Sequence, residues 1–164
     1  MTQVVDTAKP LGYGLLTFQQ ESIREILTEG SPQLIGSHVD AVSAFLPHTV
    51  ELDRELLVRL EECGALECFT VRDTGELVGY AVYTVGPNTH SLGEYKAVQD
   101  ALYLSPSARR GWAAVKFIKY TADALLGMPL ITEVYQSTPL ERDFGPVLER
   151  AGFKPLERMY VRRQ

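Results

Sequence analysis

The stretch that most constrains this chain is QDALYLSPSARRGWAAVKFIKYTADALL, residues 99–126. It reads as a strand that stops at Ser105-Pro106, a short basic turn, and a long helix opening on Arg-Arg-Gly-Trp-Ala-Ala. At about 100° per residue, Ala113, Ala114, Phe117, Thr121, Ala124 and Leu125 share one face, with Lys116, Lys119 and Asp123 opposite. That pattern predicts an amphipathic helix laid on a sheet. Trp112, the only tryptophan, falls on the charged stripe and is expected to point away from the core, as a cap or against a ligand or partner. A helix start leaves about four backbone N–H groups without intrahelical partners and carries a partial positive charge. With Arg109 and Arg110 beside it, this turn suits an anion such as a cofactor phosphate.

The rest of the chain supplies the other layers. A short strand over 13–18 precedes a helix over 19–29, with Ile23, Ile26 and Leu27 on one side and Gly30 as its stop. A second helix runs from Ser31-Pro32 to about Phe45, its apolar stripe formed by Leu34, Ile35, Val39, Val42 and Phe45, and Pro47 ends it. His38 lies one position from that stripe, at the rim of the core. An irregular piece containing His48 follows, and Asp53 caps a short charged helix over 54–62. Strands over 65–72 and 76–85 are joined by Asp73-Thr74-Gly75, a hairpin signal. Strict alternation puts Leu77, Gly79, Ala81, Tyr83 and Val85 on one face and Val78, Tyr80 and Val82 on the other. Both sets are apolar, so this strand is expected to be central and covered on both sides. A breaker-rich loop over 86–93 carries His90 and leads into the strand over 94–104. After the long helix come a strand over 130–135, a helix over 139–150 and a closing strand over 153–163. This order predicts one α+β domain, 1–164, in which a mixed central sheet has helices on both faces and residues 1–11 form a loose arm.

Composition sets limits. A length of 164 residues suits one core, and 45% hydrophobic with 23% charged residues is ordinary for a globular chain. A net charge of −5 argues against a nucleic-acid groove and mildly favours an amine-bearing partner. No apolar run approaches a membrane span of ~20 residues. MTQVVDTAKP lacks the layout of a secretory signal, so a cytoplasmic location is expected. Cys63 and Cys68 lack a His or Cys cluster and read as reduced thiols, with no metal site.

Strand, Pro106, arginines, a Gly/Ala-rich helix start and, near the C-terminus, Leu148-Glu-Arg-Ala-Gly-Phe153 together resemble the GCN5-related N-acetyltransferase (GNAT) superfamily. The resemblance covers roughly residues 12–163. The family's pyrophosphate motif, Q/R-x-x-G-x-G/A, fits in two registers. One begins at Arg109, with Trp112 in place of glycine and Ala114 last; the other begins at Ala108, with Gly111 and Ala113 matching. The spacing from Pro106 favours the first. In detail the chain is most similar to bacteriophage-encoded GNAT-like proteins, in which a GELVGY-type strand, a histidine after it and a DALYL strand follow one another.

The resemblance implies an acetyl-coenzyme A-dependent N-acetyltransferase that passes an acetyl group to a primary amine by direct attack in a ternary complex. Backbone groups of Ala101, Leu102, Tyr103 and Leu104 would hold the pantetheine arm and the developing oxyanion, in an opening between the strands over 99–104 and 130–135. Amides of Arg109, Arg110, Gly111, Trp112, Ala113 and Ala114 would hold the pyrophosphate. For the base, alternation places Asp100 with Val98, Leu102 and Leu104, and an acid among apolar neighbours has its pKa raised towards a useful value. Glu94 and His90 are reserves. The family's general acid is a late-helix Tyr, where Leu148 stands, so Tyr135 or Tyr103 is the substitute. The Asn that often follows the fifth strand is replaced by Gln136-Ser137-Thr138. Trp112 and Leu148 also support an alternative, an inactive GNAT-fold component of a phage particle or of host takeover. A homodimer is compatible with either.

Overall fold

The computed structural model describes residues 8–29, 32–43 and 51–162. His48, Phe45, Pro47 and Gly30 lie outside them, as does the end of the expected closing strand. Six strands form one sheet in chain order: β1 (Leu11–Tyr13), β2 (Leu16–Gln20), β3 (Leu66–Asp73), β4 (Glu76–Pro87), β5 (Tyr95–Leu104) and β6 (Ile131–Tyr135). All neighbours are antiparallel except β5 and β6. The single first strand expected over 13–18 is instead a hairpin, because Gly14 takes a φ of 62° and turns the chain.

Helices α1 (Ile23–Glu29), α2 (Pro32–Ser43) and α3 (Arg54–Glu62) cover one face of the sheet, where Ile23, Ile26 and Leu34 pack with Leu66, Cys68, Tyr80, Val82 and Tyr103. Asp53 caps α3 by accepting from the Leu56 amide. The opposite face carries α4 (Ala113–Leu126) and α5 (Gly145–Arg150). There Ala113, Phe117, Tyr120 and Leu125 meet Phe18, Phe69, Ala81 and Tyr83. The apolar face of α4 is wider than its periodicity indicates, since Ile118 is also buried, against Leu148 and Ala151. Lys119 and Asp123 pair in solvent on its outer side.

Two bulges shift the expected faces. At Val78 the β3–β4 register slips, so Leu77 joins Tyr80 and Val82 while Val78 packs with Ala81, Tyr83 and Val85. At Asp100 the β4–β5 register slips in the same way, with Val82 opposite Ala101 and Tyr83 opposite Gln99. Between β2 and α1, Glu21 accepts from Arg72 (2.9 Å) and from the Thr70 hydroxyl. Burial alone would raise the Glu21 carboxyl; these hydrogen bonds outweigh it and hold it below the usual range.

The closing strand is absent: residues 153–162 form no strand. Pro155 removes a ladder donor. A period of two would put Leu156, Arg158 and Tyr160 on one face and Glu157, Met159 and Val161 on the other. Neither face is apolar enough to be buried, and Leu156, Met159, Tyr160 and Val161 are exposed.

Candidate active site

The site begins where β6 leaves β5. Their parallel ladder joins Tyr95–Val98 to Ile131–Tyr135 and ends there. The sequence reading set an opening between the strands over 99–104 and 130–135; in the structure β6 pairs with Tyr95–Val98 and leaves 99–104 without it. Among the described residues, 99–104 therefore keep β4 on one side and have no strand on the other, an edge to which an extended amide chain can add.

Gln136 stands just past β6. Its Nε2 bonds the Tyr83 hydroxyl, which lies 2.7 Å from Thr121 Oγ1, and Thr121 Oγ1 lies 2.9 Å from the Ile118 carbonyl. A carbonyl only accepts, so Thr121 donates to it, Tyr83 donates to Thr121, and Gln136 donates to Tyr83. Burial pushes the Tyr83 phenol up to about 12, which keeps its proton in this chain. The polarity of the chain leaves Gln136 Oε1 as an acceptor; among the described residues it is the one buried side-chain polar atom with no partner. Leaving such an atom unpaired costs about 1–3 kcal/mol.

The anion turn follows β5. Ser105 leads into a 3₁₀ turn, Pro106–Ala108, and Gly111 takes a φ of 55° before α4 starts. Three of the six amides expected to be open are engaged: Arg109 N–H donates to the Pro106 carbonyl, Ala113 N–H to the Arg110 carbonyl, and Trp112 N–H to the Tyr13 hydroxyl (3.2 Å). The amides of Arg110, Gly111 and Ala114 remain for an anion. Arg109 donates from Nε to the Leu104 carbonyl (2.8 Å) and lies over the Tyr103 ring, so that carbonyl already has one donor. Arg110 is mostly exposed and reaches Asp73 at 3.2 Å. Trp112 is 55% exposed, as its place on the charged stripe predicts, with Arg150 over its ring.

On the other side of β5, α1, α2 and α3 enclose an apolar cavity of about 80 Å³, and Asp100 and Ala101 form part of its wall. This corrects the expectation for Asp100. As the bulged residue it faces this cavity with Ala101, whereas Leu102 and Leu104 face α4 and α5; it is exposed, not buried among apolar neighbours. His38 and Tyr80 line the same cavity, 2.5 Å apart from Nδ1 to hydroxyl, and His38 stacks on Tyr103. Burial holds His38 below its ordinary value of 6.5 and pushes the Tyr80 phenol up. His38 is thus a neutral imidazole beside a protonated phenol.

The other predicted catalytic residues are elsewhere. His90 is exposed in the loop 88–94, at the end of β5 where the β6 ladder is closed. Five strand residues, about 16 Å, separate Tyr95 from Asp100. That loop is tied down by Asn88, whose side chain donates to Glu133. Tyr135 stands opposite Val98 at the mouth of the opening, but its hydroxyl donates to Glu133 at 2.9 Å, a bond that raises its pKa. Glu94 accepts from Thr132. Leu148 is buried against Ile118. Among the described residues no His, Cys, Asp and Glu cluster suits a metal ion, and no helix is long and apolar enough to cross a membrane. His38, Gln136 and Tyr13 were the residues hardest to single out, although Tyr80 and Tyr103, which hold His38, are cross-strand partners that the two strand patterns bring together.

A mixed sheet whose one parallel pair parts beside a helix start is the GNAT acetyltransferase fold, and solved structures bear this out. A ribosomal-protein-alanine N-acetyltransferase from Brucella melitensis biovar Abortus 2308 superposes with a TM-score of 0.69 at 21% identity, covering 91% of this chain and 97% of that one. An aminoglycoside acetyltransferase from an uncultured soil metagenomic sample, in complex with sisomicin, gives 0.60 at 15% identity, over 92% and 97%. A structure from Clostridium acetobutylicum, described as a predicted acetyltransferase with acetyl-coenzyme A, gives 0.61 at 12% identity, over 90% and 96%. No family model and no curated protein matches the sequence.

Proposed function

We propose that the chain is an acetyl-coenzyme A-dependent N-acetyltransferase acting on a primary amine in the cytoplasm. The observation that carries this reading is the open edge 99–104, which the β6 ladder leaves after Val98. An arm with amide groups fits that opening: its N–H groups meet free edge carbonyls, and its carbonyls meet edge amides of Ala101–Leu104. Arg110, with the amides of Arg110 and Gly111, takes the pyrophosphate. The bound coenzyme supplies an acetyl group on a sulfur leaving group. The chain's own work is to hold that group still, to donate backbone N–H groups to the oxygen where charge develops, and to remove the proton of the amine. Asp100, on the wall shared by the edge and the cavity, is the base of this reading, and His38 lines the same cavity.

One observation favours the second reading, an inactive GNAT-fold binding component: Tyr13 occupies the Trp112 amide in the turn. Titration with acetyl-coenzyme A by calorimetry, with adenosine diphosphate as the control for the pyrophosphate site, separates the two. Micromolar binding followed by acetylation of an amine panel supports the enzyme. No binding at millimolar coenzyme defeats it.

A further inference from the structure

The cavity beside Asp100 has a composition that names its occupant. Its walls are Ile23, Ile26, Ile35 and other aliphatic residues, and among the described residues lining it Asp100 is the only charged one. Asp100 is exposed at its rim, and among the described residues no Lys or Arg lines it. A cation is drawn to the Asp100 rim, while the interior is mostly apolar, its polar His38 and Tyr80 groups being bonded to each other. At about 80 Å³, the space is roughly half that of an apolar cavity known to take benzene. That is room for a branched three- or four-carbon group, with no room for a sugar ring.

Resting on the acetyltransferase reading, we propose that this cavity selects the acceptor: a primary amine whose neighbouring carbon bears a small branched aliphatic group, the ammonium at Asp100 and the aliphatic group between Ile26, Ile35 and Tyr80. The transfer it serves forms the C–N bond of an amide and breaks the C–S bond of the thioester. The ammonium first gives one proton through Asp100 to solvent; the neutral amine then gives up a second as it attacks, and the departing sulfur takes one. A polypeptide N-terminus beginning with valine and a free branched amine offer the same chemistry. A polyhydroxylated aminosugar would leave its hydroxyls unpaired against isoleucines.

The test is an acetylation competition among valinamide, glycinamide, a peptide with N-terminal valine, the side chain of Nα-acetyllysine amide, and sisomicin, with products read by mass spectrometry and coenzyme binding by calorimetry. Valinamide or the valine peptide should exceed glycinamide by about tenfold or more, the range for missing methylenes in an apolar pocket. The ratio of valine peptide to valinamide then tells polypeptide N-termini from free amines. Leu52 lines the cavity yet is 44% exposed, so Leu52→Glu should fold; it should lower valinamide turnover without changing coenzyme affinity. Sisomicin or the lysine amine acetylated as fast as valinamide overturns the acceptor class and leaves the acetyltransferase standing. Coenzyme neither bound nor used defeats the acetyltransferase reading itself. The cavity is then judged by a nuclear magnetic resonance titration with valinamide, in which shifts centred on Ile26, Ile35 and Tyr80 support it and their absence at millimolar amine overturns it.

Discussion

Three side chains decide most of the chemistry. Arg110 is exposed and only loosely held by Asp73, so it is available to a phosphate; Arg110→Glu should weaken acetyl-coenzyme A binding by ~1–3 kcal/mol in calorimetry, the scale of a charge-assisted contact. Asp100→Asn should cut turnover about a hundredfold or more while leaving coenzyme affinity unchanged, the share a positioned base contributes. A fully active variant removes Asp100 as the base. His38 makes a statement about pH. Its folded pKa lies below its ordinary 6.5, so the unfolded chain binds more protons in the interval between the two. Above 6.5 both states are neutral at this residue and the difference vanishes. As pH falls from about 6.5 towards the folded value, stability is lost, then levels off. Urea unfolding across pH 5–7 should show this slope, and His38→Asn should flatten it. His38 was visible in the sequence only as a histidine at the edge of a stripe, because the Tyr80 and Tyr103 rings that fix it come from strands more than forty residues away.

Strands and helices were legible where one periodicity had one buried face. α4, the β3–β4 hairpin and the cap of α3 followed from spacing and turn chemistry. Bulges were not legible, because a strand apolar on both faces carries no mark of the residue at which its faces exchange; Leu77 and Val78 are the example, and Asp100 is the consequential one. The close approach of β4 and β5 was equally hidden. A Cβ on Gly79 would lie 2.8 Å from the Tyr103 carbonyl oxygen and 3.2 Å from Leu104 Cα, both backbone atoms that cannot swing aside. Gly79→Ala should therefore cost ~1–3 kcal/mol, the range for overpacking, seen as a lower urea midpoint at unchanged slope. It should also weaken coenzyme binding, since the strand it displaces carries the open edge. The tail 153–162 shows the opposite limit: a run with strand-like residues stays unpaired when neither of its faces is consistently apolar.

For the molecule as a whole, anything that binds the folded state alone must stabilise it. Acetyl-coenzyme A at about a hundred times its Kd should add about 2.7 kcal/mol, raising Tm by roughly 5–10 °C for a chain of this size. Adenosine diphosphate should reproduce only part of the shift, and an unchanged Tm would count against the opening as a cofactor site. By itself the sequence determined the order of elements from β2 to α5, the two covered faces of the sheet, and the strand–turn–helix unit that suits an anion. Each of these depends on neighbours within a few residues, through periodicity, capping and the missing N–H of proline. Only the tertiary structure decided where β6 leaves β5, which way Asp100 faces, that Gln136 keeps an unpaired acceptor, and that Tyr13 reaches the Trp112 amide. Those depend on register between distant strands and on the direction of a hydrogen-bond chain, and a one-residue slip in register reverses every face it touches.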